Sequence, residues 1–396
     1  MPLAGQLLVL LVAQSPDAVW KHLSTKTGDL PVPNSGTQQT SAVVFDVDRD
    51  GVNDFVITER TVAPSVVWYR RAATGWTRYI VDESALNPEA GSVAYDVDGD
   101  GDLDFVAGGD GSSNQIWWWE NPRPDFDPNR PWKRRLIKDS GARKHHDQIF
   151  GDFDGDGRDE FVFWNQGANA LMMARIPADP RNSGPWTFFP IYEYSGDSEP
   201  QHRGTPDSFK RVGEHEGLDK ADIDGDGKVD IVGGGRWFKH LGGDRFLPNI
   251  IDANYTFSRS AAGQLIKGGR PEVVLVIGDG VGPLIWYEWV KGAWIPHPLL
   301  EVTSGHSLSV LDFDGDGNLD IFCAEMRLGG RNPQSKIYLL LGDGNGNFRT
   351  TVVATGFDLH ESKVADLDGN GTLDILGKPY NWETPRLYIW LNVESK

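Results

Sequence analysis

Apolar residues along this chain come in short runs rich in Val, Ile, Phe and Trp. Gly, Asp or Pro cuts each run, as in SAVVFDVDRDGVNDFVITE (41–59) and SVAYDVDGDGDLDFVAGG (92–109). No long stretch has the 3.6-residue period of an amphipathic helix, so the pattern predicts an all-β chain of short strands and tight turns. In the second segment, 92–95 leads into an acidic loop, 105–107 leaves it, 116–120 follows and 132–137 closes the unit. Four strands per unit are expected.

The unit repeats. The pattern D-x-[DN]-x-[DN]-G-x-x-[DE] begins at Asp46, Asp96, Asp152, Asp222, Asp312 and Asp366. The step from Asp222 to Asp312 is much longer than the others. It hides GQLIKGGRPEVVLVIGDGVGPLIWYEW (263–289), which keeps the strands but has lost the acidic loop. That makes seven units of roughly 50 residues, and four-stranded units repeated radially make a β-propeller. The seventh unit runs out after its third strand, 386–392, while VWKHLS (19–24) resembles the closing strands WTRYIV (76–81) and WKRRLI (132–137). An N-terminal strand is therefore expected to complete the last blade. The expectation is one seven-bladed β-propeller over 14–396, with the fifth blade degenerate.

Alternate acidic side chains on a tight loop bring several hard oxygens to one point, which suits Ca²⁺ with its 6–8 oxygen ligands. The expected ligands are Asp46, Asp48, Asp50 and Asp54; Asp96, Asp98, Asp100 and Asp104; Asp152, Asp154, Asp156 and Glu160. In the later units they are Asp222, Asp224, Asp226 and Asp230; Asp312, Asp314, Asp316 and Asp320; Asp366, Asp368, Asn370 and Asp374. An EF-hand fits poorly, since no helices flank the loops and the last acid stands at position nine rather than twelve. Purely solvated turns fit poorly too, because carboxylates held so close repel without a cation. The sequence resembles the FG-GAP/VCBS repeat proteins, a resemblance that implies propeller blades with structural calcium in the loop joining the first two strands. Such a fold implies no particular activity.

Composition narrows the partners. The 396 residues carry a formal net charge of −19, which argues against nucleic acid and anionic membranes. The single cysteine, Cys323, lies in an apolar run and rules out an intrachain disulfide. At the N-terminus, the apolar run 7–13 is far too short to span a bilayer, which takes about 20 residues, and suits a signal-peptide core with cleavage near 13–14. A secreted or periplasmic protein is expected. No G-x-S-x-G, P-loop or C-x-x-C motif is present.

The histidines carry the chemistry. Of nine in the chain, His145, His146, His215, His306 and His360 stand six or seven residues before the first aspartate of a loop, and Glu216 shares the six-back position. In a propeller these positions precede the innermost strands and ring the axis on the face opposite the acidic loops. Inheritance with a duplicated blade would also repeat a histidine, but the first two units have Thr40 and Ala90 there. Expected on the same face are Arg60, Glu89, Arg143, Lys144, Arg236, Arg259, Arg327, Arg331, Lys378, Tyr380 and Trp382. The tryptophans of IWWWE and LIWYEW are expected to pack between blades instead.

Histidines, arginines and a tyrosine without a nucleophile suit proton abstraction beside a carbonyl and loss of an oxygen leaving group, a β-elimination. The catalytic candidates are His145, His146, His215, His306, His360, Tyr380 and Arg143. Arg60, Lys144, Glu216, Arg236, Arg259, Arg327, Arg331, Lys378 and Trp382 are the candidates for substrate binding. The motifs HEGLDKADIDGDG (215–227), GHSLSVLDFDGDG (305–317) and LHESKVADLDGNGTLDILGKPY (359–380) look similar to the propeller domain of the aldos-2-ulose dehydratases. More loosely, the chain resembles the propeller-type polysaccharide lyases. The dehydratase resemblance implies a carbohydrate substrate and a divalent metal such as zinc or magnesium in the axial pocket, with His215, His306 and His360 as leading ligands. Two rivals remain: a lectin or adhesion propeller without chemistry, and a metal-dependent hydrolase.

Overall fold

The computed structural model describes residues 18–194 and 214–394; the apolar run 7–13 and its expected cleavage point lie outside them. Seven four-stranded antiparallel sheets form the blades of a ring. The inner strands, in order, are Gln39–Phe45, Val93–Tyr95, His145–Gly151, Asp219–Ala221, Ser258–Gly263, Ser307–Leu311 and Lys363–Ala365. The last of them packs against the first, which closes the circle. Blade five is the unit that lost its acidic loop. No helix among the described residues is long and apolar enough to cross a membrane.

Closure is made by the N-terminal strand. Ala18–Ser24 pairs antiparallel with Tyr388–Glu394 and forms the outer edge of blade seven, as the likeness of 19–24 to the other closing strands predicts.

Each seam between blades holds its own apolar layer, and the third strand of blade two shows how. Successive side chains on a strand point to opposite faces. In Ile116–Glu120, Trp117 and Trp119 therefore enter the layer against blade one, beside Trp68 and Tyr79, while Trp118 enters the layer against blade three, beside Phe150 and Phe161. All three indoles are buried. Three tryptophans in a row are two half-cores seen edge-on.

The acidic loops are tied to their blades by the acid at position nine. Asp104 accepts hydrogen bonds from Val97 N at 3.0 Å and Asn121 N at 2.8 Å, so one carboxylate links its loop to the third strand. Asp374 does the same with Leu367 N and Asn392 N. In blade five, Glu272 still holds Leu265 N and Ile266 N, so the tie survives where the other acids have gone.

Blades two and three meet closely at the axis. Gly91 has φ +83°, and a Cβ there would stand 2.3 Å from the Asp147 Cα. Gly91→Ala therefore forces both a left-handed alanine and a backbone shift. It is expected to cost about 1–3 kcal/mol, read as a fall in the urea midpoint without a change in slope.

Candidate functional site

The start of several inner strands delivers side chains to the axis. At the six-back position of blades three, four, six and seven stand His146, Glu216, His306 and His360; one residue later stand Asp147, Arg259 in blade five, and Glu361. The first set lines a cavity of about 210 Å³ on the axis. Arg60, Lys144 and Tyr380 face the same cavity, as do Glu89, Glu214 and Asp279.

The centre of the cavity is a histidine–carboxylate cluster. His146 Nε2 lies 3.2 Å from Glu216 Oε1, and His306 Nε2 lies 3.5 Å from Glu216 Oε2. Donor atoms of His146, Glu216 and His306 all fall within 4.8 Å of one another. Behind them, His146 Nδ1 meets Asp147 Oδ2 at 2.8 Å, and His306 Nδ1 faces Glu361 Oε1 at 3.7 Å. Arg259 bridges these rear carboxylates, with Nη2 at 2.7 Å from Asp147 and 3.0 Å from Glu361. The result is a buried layer of ions that joins blades three, five and seven beneath the cavity.

The electrostatics follow this layering. Burial opposes charge on His146, but Glu216 and Asp147 outweigh it and raise its pKa to about 9. Burial likewise works against the Asp147 carboxylate, yet Arg259 and His146 hold it well below the usual range. Glu361, by the same balance with Arg259 and Lys363, sits at about 2. Asp279 goes the other way: burial pushes it up to about 6, against the pull of His306.

His360 has different company. It stacks on His306 at 4.3 Å and on Tyr380 at 4.8 Å between ring centroids. Its Nδ1 lies 3.1 Å from Lys378 Nζ, and burial and that lysine push the imidazole well below its ordinary pKa. Both cations on the cavity wall are already paired, Arg60 with Glu89 at 2.5 Å and Lys144 with Glu214.

Several residues expected at the pocket stand elsewhere. His145 and His146 point to opposite faces of one strand, so His145 turns into the seam with blade two, where its Nδ1 meets the Gly109 carbonyl and its Nε2 meets Lys138. His215 packs against Tyr194 and Trp164 between blades three and four, at 3.7 and 5.1 Å, and Arg236 lies beside it. His215, expected as a leading metal ligand, thus lies away from the axial cavity, where His146 and Glu216 stand beside His306 instead. Arg259, its side chain 12 % exposed, braces Asp147 and Glu361 instead of facing the cavity, and Lys378 is wholly buried against His360. Arg143 and Arg331 are exposed and away from the cavity. Arg327 lies over the Trp382 ring at 5.3 Å on the rim, with Trp382 37 % exposed.

Asp279, Glu214, Asp147 and Glu361 were not foreseen. Asp147 and Glu361 had a signal, one position after the histidines, while Asp279 in IGDGVG reads as an ordinary turn.

A model of the FG-GAP-like repeat matches residues 96–163 and 312–377. The solved structures that resemble the chain include BBS1N, in complex with ARL6DN, at 10 % identity over 95 % of this chain and 98 % of that one, with a TM-score of 0.53. The Vibrio cholerae biofilm matrix protein Bap1 is 12 % identical over 92 % of this chain and 89 % of its own, with a TM-score of 0.48. No curated protein matches the sequence. At such identities the likeness to BBS1N speaks for the fold alone.

Proposed function

From the premise of a seven-bladed β-propeller carrying FG-GAP-like repeats, we propose that the axial cavity is the working site of a metal-dependent carbon–oxygen lyase acting on a carbohydrate. One observation carries the reading: His146, Glu216 and His306 converge, and each histidine has a carboxylate at its rear nitrogen. The Asp147 carboxylate, hydrogen-bonded to His146 Nδ1, fixes that ring's tautomer and aims its Nε2 lone pair at a metal, while Glu361 stands 3.7 Å behind His306 Nδ1 as a nearby charge. Glu216 Oε2 is buried with no hydrogen-bond donor in place, as a ligand oxygen would be. Two imidazoles and a carboxylate suit zinc or a similar transition metal better than magnesium, which prefers oxygen and water.

His146, Glu216 and His306 would hold such an ion, which would stabilise charge on a substrate carbonyl oxygen and so acidify the adjacent C–H. Asp279 takes that proton as the C=C bond forms and the C–O bond on the next carbon breaks, and the Tyr380 hydroxyl donates a proton to the departing oxygen. Arg60 and Lys144 hold Glu89 and Glu214, which leaves these two wall cations committed. That favours a neutral keto-sugar, as for a dehydratase, over a polyuronate.

The acidic loops are read as calcium sites. Asp98 Oδ1, Asp152 Oδ1 and Asp224 Oδ1 are buried without hydrogen bonds, which fits a cation. Dependence on calcium suits the secreted or periplasmic location that the N-terminal run suggests. A second reading, sugar binding without chemistry, draws on Trp382 at the rim and predicts a bound but unaltered ligand.

Metal analysis of the wild type and of Glu216→Gln tests the proposal. The expected result is a transition metal lost from the variant while calcium is retained, with Asp147→Asn weakening metal affinity about 10–100-fold. Keto-sugars turned over by the wild type should yield an ultraviolet-absorbing unsaturated product. Calcium alone in both proteins would overturn the metal centre, and a hydrated product would favour hydrolysis.

A further inference from the structure

Among the described residues, a buried lysine meets a histidine ring at two places. At the seam of blades two and three, Lys138 Nζ lies 2.9 Å from the Asn114 carbonyl, 2.7 Å from the Ala142 carbonyl and 3.0 Å from His145 Nε2. His145 Nδ1 lies 2.9 Å from the Gly109 carbonyl. A carbonyl can only accept, so the proton of the neutral ring is on Nδ1 and the lysine must donate to Nε2. The ammonium has three protons and finds three acceptors.

Blade seven repeats the arrangement with the ring turned over. Lys378 Nζ lies 3.0 Å from the Gln39 carbonyl, 2.8 Å from the His360 carbonyl and 3.1 Å from His360 Nδ1. Again three protons meet three acceptors, but here Nδ1 takes the lysine and the ring itself lines the cavity. A neutral imidazole that accepts at Nδ1 carries its proton on Nε2.

We propose that Lys378 is a positioning residue that holds His360 in the Nε2–H form, making His360 a hydrogen-bond donor to a substrate oxygen and excluding it from the metal ligands. The charge behind each ring sorts the axial histidines. The carboxylate bonded to His146 Nδ1, and the one 3.7 Å behind His306 Nδ1, favour a proton on Nδ1 and leave Nε2 to ligate; an ammonium behind His360 does the reverse. The donor role rests on the axial cavity being the working site, whereas the tautomer does not.

The tautomer can be read directly. The full chain, labelled with ¹⁵N-histidine, is examined by two-bond ¹H–¹⁵N correlation, with His360 assigned by its loss in His360→Gln. The measurement is made at pH 6. Burial pushes Lys378 down to about 7, with Glu361, Asp358 and Glu59 opposing and Lys363 assisting, so the lysine holds its proton there. The expected spectrum has a protonated Nε2 and a bare Nδ1 in the wild type. Lys378→Met should move the ring to a mixture or to the opposite form.

A protonated Nδ1 in the wild type overturns the proposal whether or not the variant folds, and so does a folded Lys378→Met with an unchanged tautomer. Metal retained in His360→Gln but lost in His306→Ala supports the sorting of roles; metal lost equally from both overturns it. Absence of metal from every sample would sink the lyase reading and leave the tautomer result standing.

Discussion

Excess EGTA is expected to lower the melting temperature of this protein by about 15–20 °C, and added Ca²⁺ to restore it. A site at a free calcium concentration one hundred times its Kd contributes about 2.7 kcal/mol, and six acidic loops would together supply roughly 16 kcal/mol. At about 2.1 cal/mol/K of unfolding entropy per residue, one kcal/mol moves the midpoint of a chain this long by only about 1.2 °C, so only a many-site effect gives so large a shift. Without a cation the loops would stay partly tied, since Asp104 and Asp374 keep their backbone amides. Blades two and four have local counter-ions as well, with Arg181 on Asp98 at 2.8 Å and Lys239 on Asp226 at 2.8 Å. An unchanged midpoint by calorimetry in excess chelator would show that the loops need no cation.

The second large effect belongs to one side chain. Arg259→Met removes the guanidinium that joins Asp147 and Glu361, and leaves two carboxylates buried without it. Breaking a buried ion pair in this way costs about 3–5 kcal/mol, or roughly 4–6 °C on the scale above. Adding Asp147→Asn and Glu361→Gln should recover part of the loss, because the charges that needed the arginine are gone. A midpoint shift under about 1 °C in Arg259→Met would mean that water or Lys363 replaces the guanidinium.

Most of the architecture was legible because repetition is a strong signal. The acidic loops marked six blades, the long step between Asp222 and Asp312 betrayed the seventh, and the likeness of 19–24 to other closing strands gave the joint of the ring. The axial site was legible only in outline. Counting back from the loops found His146, Glu216, His306 and His360, yet placed His145 and His215 beside them. Adjacent strand residues face opposite ways, and nothing in HHD or HEG says which of the pair looks to the axis. The ion layer was hidden for another reason. Asp147, Arg259 and Glu361 are separated by more than a hundred residues each, and only the curvature of the ring brings them together. Lys378 was expected to bind substrate on the axial face, and its burial beneath His360, held by the Gln39 carbonyl of the next blade, had no signal in GKPYNW.

The closing joint also sets a schedule for biosynthesis. Leu387 N bonds to Thr25 Oγ1 across 362 residues of chain, so the first strand of the ring finds its partner last. At roughly 5–20 residues per second that wait is about 20–70 s. Throughout it the nascent chain presents an open sheet edge at each end of an incomplete arc, the kind of edge on which chains pair with one another. A chain released short of Tyr388–Glu394 cannot shut, which makes synthesis through that strand a condition for escaping aggregation.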